Sequence, residues 1–259
     1  MNYIIESEKE SNRLEKQNAL PQYSILEEIK FLGLELNGKK ILDAGCGTGS
    51  LTRILSQNYK AEISGCDASK ERVQEATILS KHTLHFYSAN LTSMPSADNI
   101  FDVIFVRFVL EHTLNPEKIV NELTRILKPG GHLVVIDMDG LIFNLHHQDK
   151  KLGENLELLQ RKLPIDLYIG RKLPRMMKEA GLQISECHVQ PMLFQEEDLE
   201  NEVENMLMRF SQCESMIKEI IGEDQFDSFI KSYATEMRDS QAFFCNKFIV
   251  SAQKTLGKI

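Results

Sequence analysis

The stretch Lys39–Ser50, KKILDAGCGTGS, constrains the fold of this chain more than any other. Lys40-Ile41-Leu42-Asp43 reads as a short buried strand built on the apolar pair Ile41 and Leu42. Gly45, Gly47 and Gly49 follow at alternate positions, and a helical pattern opens at Thr48–Ser50 and runs through Leu51, Ile54 and Leu55. A strand, a glycine turn and a helix N-terminus in succession leave bare backbone where a ligand can approach.

Two kinds of nucleotide-like ligand compete for such a turn. A dinucleotide fingerprint, G-x-G-x-x-G, needs a third glycine where this chain has Ser50. Asp43 stands just ahead of the first glycine, where a carboxylate repels a pyrophosphate and attracts an ammonium or a sulfonium. The pattern D-x-G-x-G-x-G resembles motif I of the class I S-adenosylmethionine-dependent methyltransferases. Three further segments extend that resemblance in order. They are a second strand, Ala61–Asp67, ending in an acid; F-D-V-I opening a nearly continuous apolar strand over Phe101–Phe108; and L-K-P-G-G-x-L at Leu127–Leu133. The resemblance covers roughly residues 39–138.

What it implies is an α/β fold: a Rossmann-like, doubly wound, seven-stranded sheet of order 3-2-1-4-5-7-6 with the last strand antiparallel. N-terminal helices precede that sheet, and a helical insertion precedes its last strand. The remaining strands fall at Thr83–Ala89, His132–Asp137, Ile184–Val189 and Ala242–Ala252. The whole chain then forms one methyltransferase domain. Residues 1–36 are an N-terminal helical lid, 37–138 a cofactor-binding half, and 139–259 a substrate-side half with its insertion at about 196–240.

The resemblance also implies S-adenosyl-L-methionine as cofactor and assigns residues to it. Gly45, Gly47 and Gly49 let the backbone close on the ligand, and Asp43 partners the methionine ammonium directly or through water. Asp67, with Ala68 beside it, holds the ribose hydroxyls, and Asn90 and Leu91 flank the adenine. The family usually carries Asp where Asn90 stands, and an amide oxygen accepts more weakly than a carboxylate. Arg107 and Phe108 offer backbone to the methionine moiety. Upstream, Glu10-x-x-Arg13-Leu14-x-x-Gln17 puts polar residues on one helix face. That face is either solvated with a local ion pair or a lid turning Arg13 and Gln17 inward, as similar helices do in some small-molecule methyltransferases.

Methyl transfer from a sulfonium is an in-line displacement that builds no oxyanion, so alignment and exclusion of water supply most of the acceleration. The cofactor positions should therefore be strong and the catalytic ones sparse. His112, just beyond the fourth strand, is the best-placed general base; its alternative is capping or packing. His146 and His147 are weaker candidates; Met176, Met177, Met206 and Met208 read as core before acceptor-site lining, and Arg171 as a solvated helix-start residue before a contact to an anionic acceptor.

Exclusions narrow the acceptor. A net charge of −8 disfavours a phosphate-tracking surface. Val106-Arg107-Phe108-Val109 stands where a base-amino DNA methyltransferase carries N/D-P-P-Y/F, and no cysteine follows a proline as a cytosine-C5 enzyme requires. Five cysteines without a C-x-x-C pair suit reduced thiols in the cytoplasm, and histidines without H-E-x-x-H spacing argue against a metal. No apolar run reaches membrane-spanning length, and the N-terminus is too acidic for a signal peptide. The expectation is a cytoplasmic monomer or homodimer acting on oxygen, nitrogen or carbon of a small-molecule methyl acceptor, with no nucleic acid or membrane partner. Its rivals are a cofactor-binding protein without methyl transfer and a protein methyltransferase.

Overall fold

The computed structural model of the chain describes Gln17 and residues 20–256. The motif strand, β1 (Lys40–Ala44), lies inside a seven-stranded sheet with β2 (Glu62–Asp67), β3 (His85–Ser88), β4 (Phe101–Arg107), β5 (Leu127–Asp139), β6 (Leu182–Gln195) and β7 (Ala242–Lys254). Their order is β3-β2-β1-β4-β5-β7-β6. Neighbours from β3 to β5 run parallel, with Ile41 opposite both Ile63 and Val103, whereas β7 is antiparallel to β5 and β6. Strand order, parallel core and reversed β7 are those the resemblance implied. The order switches direction between β1 and β4, which opens a crevice at the carboxyl ends of these strands.

Nine α-helices surround the sheet among the described residues: α1 (Ile25–Lys30), α2 (Ser50–Asn58), α3 (Lys70–Leu79), α4 (Pro116–Ile126), α5 (Lys150–Lys162), α6 (Leu173–Glu179), α7 (Glu196–Gln212), α8 (Glu214–Ile221) and α9 (Phe226–Asp239). Alternate residues of the central strands feed opposite cores, as the pleat requires. Ile104, Val106, Leu133 and Val135 pack with α4 and α6 residues such as Ile119, Leu123 and Met177. Val103, Phe105, Val134 and Ile136 pack with Ile29 of α1 and Leu55 of α2. Local signals set the helix starts: Ser69 Oγ accepts from Arg72 N at 3.2 Å to cap α3, and Pro116 opens α4 where its missing N–H costs nothing. At the other end of the sheet Asp102 Oδ2 accepts from Lys40 N and from Lys128 Nζ, both at 2.9 Å, a structural tie.

Two strands reach further than the sequence reading. β5 begins at Leu127, which already pairs with Phe101, so Lys128–Gly131 forms an irregular strand start rather than a separate turn. β6 continues past Val189 to Gln195, because residues 190–195 pair with Ala242–Lys247 of β7. The pairing of β5 with β7 ends at Asp139 and Asn246, so the β6–β7 hairpin projects beyond β5. Its tip buries Met192, Phe194, Phe243 and Cys245 against Met206, Phe210, Phe229 and Tyr233 of the insertion, which comprises three helices, α7, α8 and α9. In the N-terminal segment a 3-10 turn, Pro21–Tyr23, is followed by the short α1. Among the described residues no helix is long and apolar enough to cross a membrane.

Candidate active site

A cleft of about 1150 Å³, counting the part open to solvent, sits at the carboxyl ends of β1, β2 and β4. Of the residues singled out from sequence, Gln17, Asp43, Gly45, Gly47, Asp67, Ala68, Asn90, Leu91, Arg107, Phe108 and His112 all line it. Gly49 does not. It caps α2 with φ +78°, and a Cβ there would stand 2.8 Å from the Phe86 ring, so its bareness serves the packing of helix against β3. Arg13 lies outside the described residues.

The glycine turn is shaped by its neighbours. Gly45 has φ +79°, and a Cβ on it would collide with Val109 at 2.5 Å. At Gly47, φ +51°, a Cβ would meet no protein atom within 4 Å, so the main chain there borders open cleft. Gly47 N donates to Asp67 Oδ2 and Ser69 N to Asp67 Oδ1, both at 2.9 Å, which locks the carboxylate at the end of β2. Each oxygen keeps a second lone pair for a ligand hydroxyl. Burial raises the Asp67 pKa above the ordinary carboxylate value, against those two N–H bonds.

Asp43 is 2% exposed, and its Oδ2 accepts from Thr52 N at 3.1 Å and Thr52 Oγ1 at 2.6 Å. Burial pushes its pKa up to about 6 despite these bonds and the Arg107 charge. A carboxylate so short of solvent gains most from a cation entering the cleft.

Beyond β4 the chain turns sharply. Phe108 takes φ +55°, a strained conformation for a side-chain-bearing residue, while its N–H bonds Ile136 O at 2.8 Å. A 3-10 turn, Leu110–His112, then brings His112 to the cleft with Nε2 3.4 Å from Glu111 Oε1. Glu111 is buried, and behind it Asp137 at the end of β5 accepts from Leu110 N at 2.9 Å and Met138 N at 3.0 Å. Burial first, and the Glu111 charge second, raise the Asp137 pKa well above that of a solvated carboxyl.

Arg107 ties the end of β4 to the N-terminal segment. Its Nε donates to Glu28 Oε2 at 2.6 Å and its Nη2 to Tyr23 O at 2.8 Å. Lys247 of β7 donates to Glu28 Oε1 at 2.6 Å and to Gln22 O at 2.8 Å. Glu28 is 0% and Lys247 1% exposed, so a buried carboxylate with two cations straps the N-terminal segment across the strand ends. Gln17 joins the opposite rim: its Oε1 accepts from Arg209 of α7 at 3.3 Å.

Several of these residues escape sequence reading. Arg72 and Thr52 look like ordinary helix residues, and Glu28 sits in a short acidic pair with Glu27. Lys247 did leave a signal, a lone cation inside the apolar strand AFFCNKFIVSA. Met176, Met177 and Met206 are core, and Arg171 forms an ion pair with Asp139. His146, His147 and Met208 do not line the cleft.

Residues 42–135 match the family model described as a methyltransferase domain. Over 146 residues the chain is 28% identical to the sterol 24-C-methyltransferase ERG6B of Gibberella zeae, a match covering 54% of this chain and 36% of that protein. Over 197 residues it is 26% identical to the O-methyltransferase resE of Aspergillus sclerotiorum, covering 71% and 73% respectively. The chain spans less than half the length of several curated relatives, 36% of the sterol enzyme and 44% of a ubiquinone/menaquinone biosynthesis C-methyltransferase of Vibrio vulnificus among them. Among solved structures, the [4+2]-cyclase SpnF shares the fold with a TM-score of 0.60 over 97% of this chain and 84% of that one, at 17% identity. Residues 42–135 thus carry a methyltransferase domain, and both the motif that begins at Asp43 and the parallel strands β2, β3 and β4 fall within it.

Proposed function

We propose that the chain transfers a methyl group from S-adenosyl-L-methionine to an oxygen, nitrogen or carbon of a small-molecule acceptor. One observation carries the reading: two carboxylates from adjacent strand ends, Asp43 and Asp67, face a single glycine-walled cleft that also holds His112. The donor set fits the cofactor group by group. Asp43 suits the ammonium, Asp67 the ribose hydroxyls, and the open space beside Gly47 admits the ligand against bare backbone.

When bound, the sulfonium supplies an electrophilic methyl group. The residues of the chain do the rest. Asp43 and Asp67 fix the position of the donor, Phe108 and Gln17 narrow the cleft against water, and His112 takes a proton from the acceptor hydroxyl or amine. Glu111 Oε1, 3.4 Å from His112 Nε2, holds the imidazole at the cleft. The N-terminal segment, the connector after β5 and the three insertion helices are the elements we assign to the acceptor's enclosure, a reading supported by the bond from Arg209 of α7 to Gln17 of the cleft. A net charge of −8 supports a small acceptor over a nucleic acid, and five free thiols support a reducing, cytoplasmic setting.

The test is incubation with methyl-labelled S-adenosylmethionine and a metabolite extract, following S-adenosylhomocysteine release and labelled product. His112→Ala should lower turnover about 10²-fold with cofactor affinity preserved; an unchanged rate returns His112 to packing. A second reading, cofactor binding without transfer, is favoured by the shared fold of a cyclase. Tight S-adenosylhomocysteine binding with no labelled product from any pool would establish it.

A further inference from the structure

We propose that Arg72 holds the nucleobase of the bound cofactor by laying its guanidinium plane on the ring, in place of an amino-group contact that Asn90 is unable to make. The inference rests on the cofactor proposed above and concerns only how its base is gripped.

The Asn90 side chain is already committed. Its Oδ1 accepts from Thr92 N at 3.0 Å and from Thr92 Oγ1 at 2.9 Å. A main-chain N–H only donates, so this contact identifies which amide atom is the oxygen. Both lone pairs of that oxygen are then used, and what remains toward a ligand is the NH₂ group. An exocyclic amino group on adenine is itself a donor. Donor facing donor gives no bond.

Arg72 supplies another hold. It lines the same cleft as Ala68, Asn90 and Leu91 while only 7% exposed. Its Nη1 lies 3.3 Å from Glu75 Oε2, one turn further along α3, and its charge is near enough to Asp67 to favour that carboxylate's ionised form. The backbone of Arg72 is fixed as well, since its N–H donates to Ser69 Oγ. A guanidinium anchored at its edge presents a flat, weakly hydrated face, which stacks on aromatic rings in a way that an ammonium does not.

Isothermal titration with S-adenosylhomocysteine separates the possibilities. Arg72→Lys keeps the charge beside Asp67 and removes the plane; it should weaken binding about tenfold. Asn90→Asp frees a carboxylate oxygen for the amino group; it should tighten binding several-fold and recover most of the loss in the double variant. It should also widen the preference for S-adenosylhomocysteine over S-inosylhomocysteine, whose carbonyl would meet that oxygen. Arg72→Lys binding like the wild type, or Asn90→Asp binding no tighter, would overturn the proposal. If Arg72→Lys fails to fold, the Asn90→Asp measurements still decide. Failure of the wild type to bind S-adenosylhomocysteine is a different result, and it removes the cofactor assignment itself.

Discussion

Asp43 carries the clearest energetic signature of a residue kept for binding rather than for stability. Its carboxyl holds a proton up to pH about 6 in the folded chain, against 3.8 for an ordinary one. Between those values the folded state binds more protons than the unfolded, so stability falls as pH rises through that window, by about 3 kcal/mol in total. Asp43→Asn can keep both Thr52 bonds on its single oxygen while shedding the buried charge. It should therefore raise the midpoint of urea denaturation at pH 8 and yet weaken S-adenosylhomocysteine binding at least tenfold. In the wild type a cationic ligand selects the ionised carboxylate. Affinity measured by titration calorimetry should be flat above pH 7 and fall toward a decade per pH unit below pH 6; a flat profile down to pH 5 would detach Asp43 from the ammonium. The position of Asp43 ahead of the glycines was legible in sequence because local spacing encodes it. The direction in which Asn90 spends its oxygen was not, since that depends on a turn closed by Thr92.

At the level of elements, the short segment from Pro21 to Lys30 is held less by its own helicity than by the strap of Arg107, Glu28 and Lys247. A six-residue helix is far below the length that persists alone. Glu28→Gln leaves two buried cations with no carboxylate between them and should cost about 3–5 kcal/mol. Lys247→Met removes one cation and leaves Glu28 paired with Arg107, so its cost should be clearly smaller; equal losses in urea denaturation would mean that the triad does not act as described. The strands that flank the motif were readable because each is a local apolar run. The triad was not, because it joins residues from three distant parts of the chain. The full length of β6 was hidden for a related reason: residues 190–195, QPMLFQ, show no alternation and include a proline, and only their pairing with β7 identifies them as strand.

Over the whole molecule the division of labour follows chain order. Every described residue that lines the cleft belongs to the stretch from Gln17 to Ile119. Hydrogen exchange followed by mass spectrometry should accordingly show S-adenosylhomocysteine protecting peptides around residues 43–50, 67–72, 90–92 and 107–113, while α8 and α9 exchange as before. Protection spread evenly over α8 and α9 would contradict that division. The fold class was legible from residues 39–138, where the motif, the strand-end acids and L-K-P-G-G-x-L each mark a fixed station in the sheet, whereas the insertion announced only that it is helical. Its attachment has a consequence. Gln195 and Ala242 face each other as partners at the tip of the β6–β7 hairpin, so the chain leaves and re-enters the sheet at one point. On the function proposed above, a scaffold carrying another set of helices in place of α7 to α9 would keep its strand pairing and its hold on the donor while changing the molecule it acts upon.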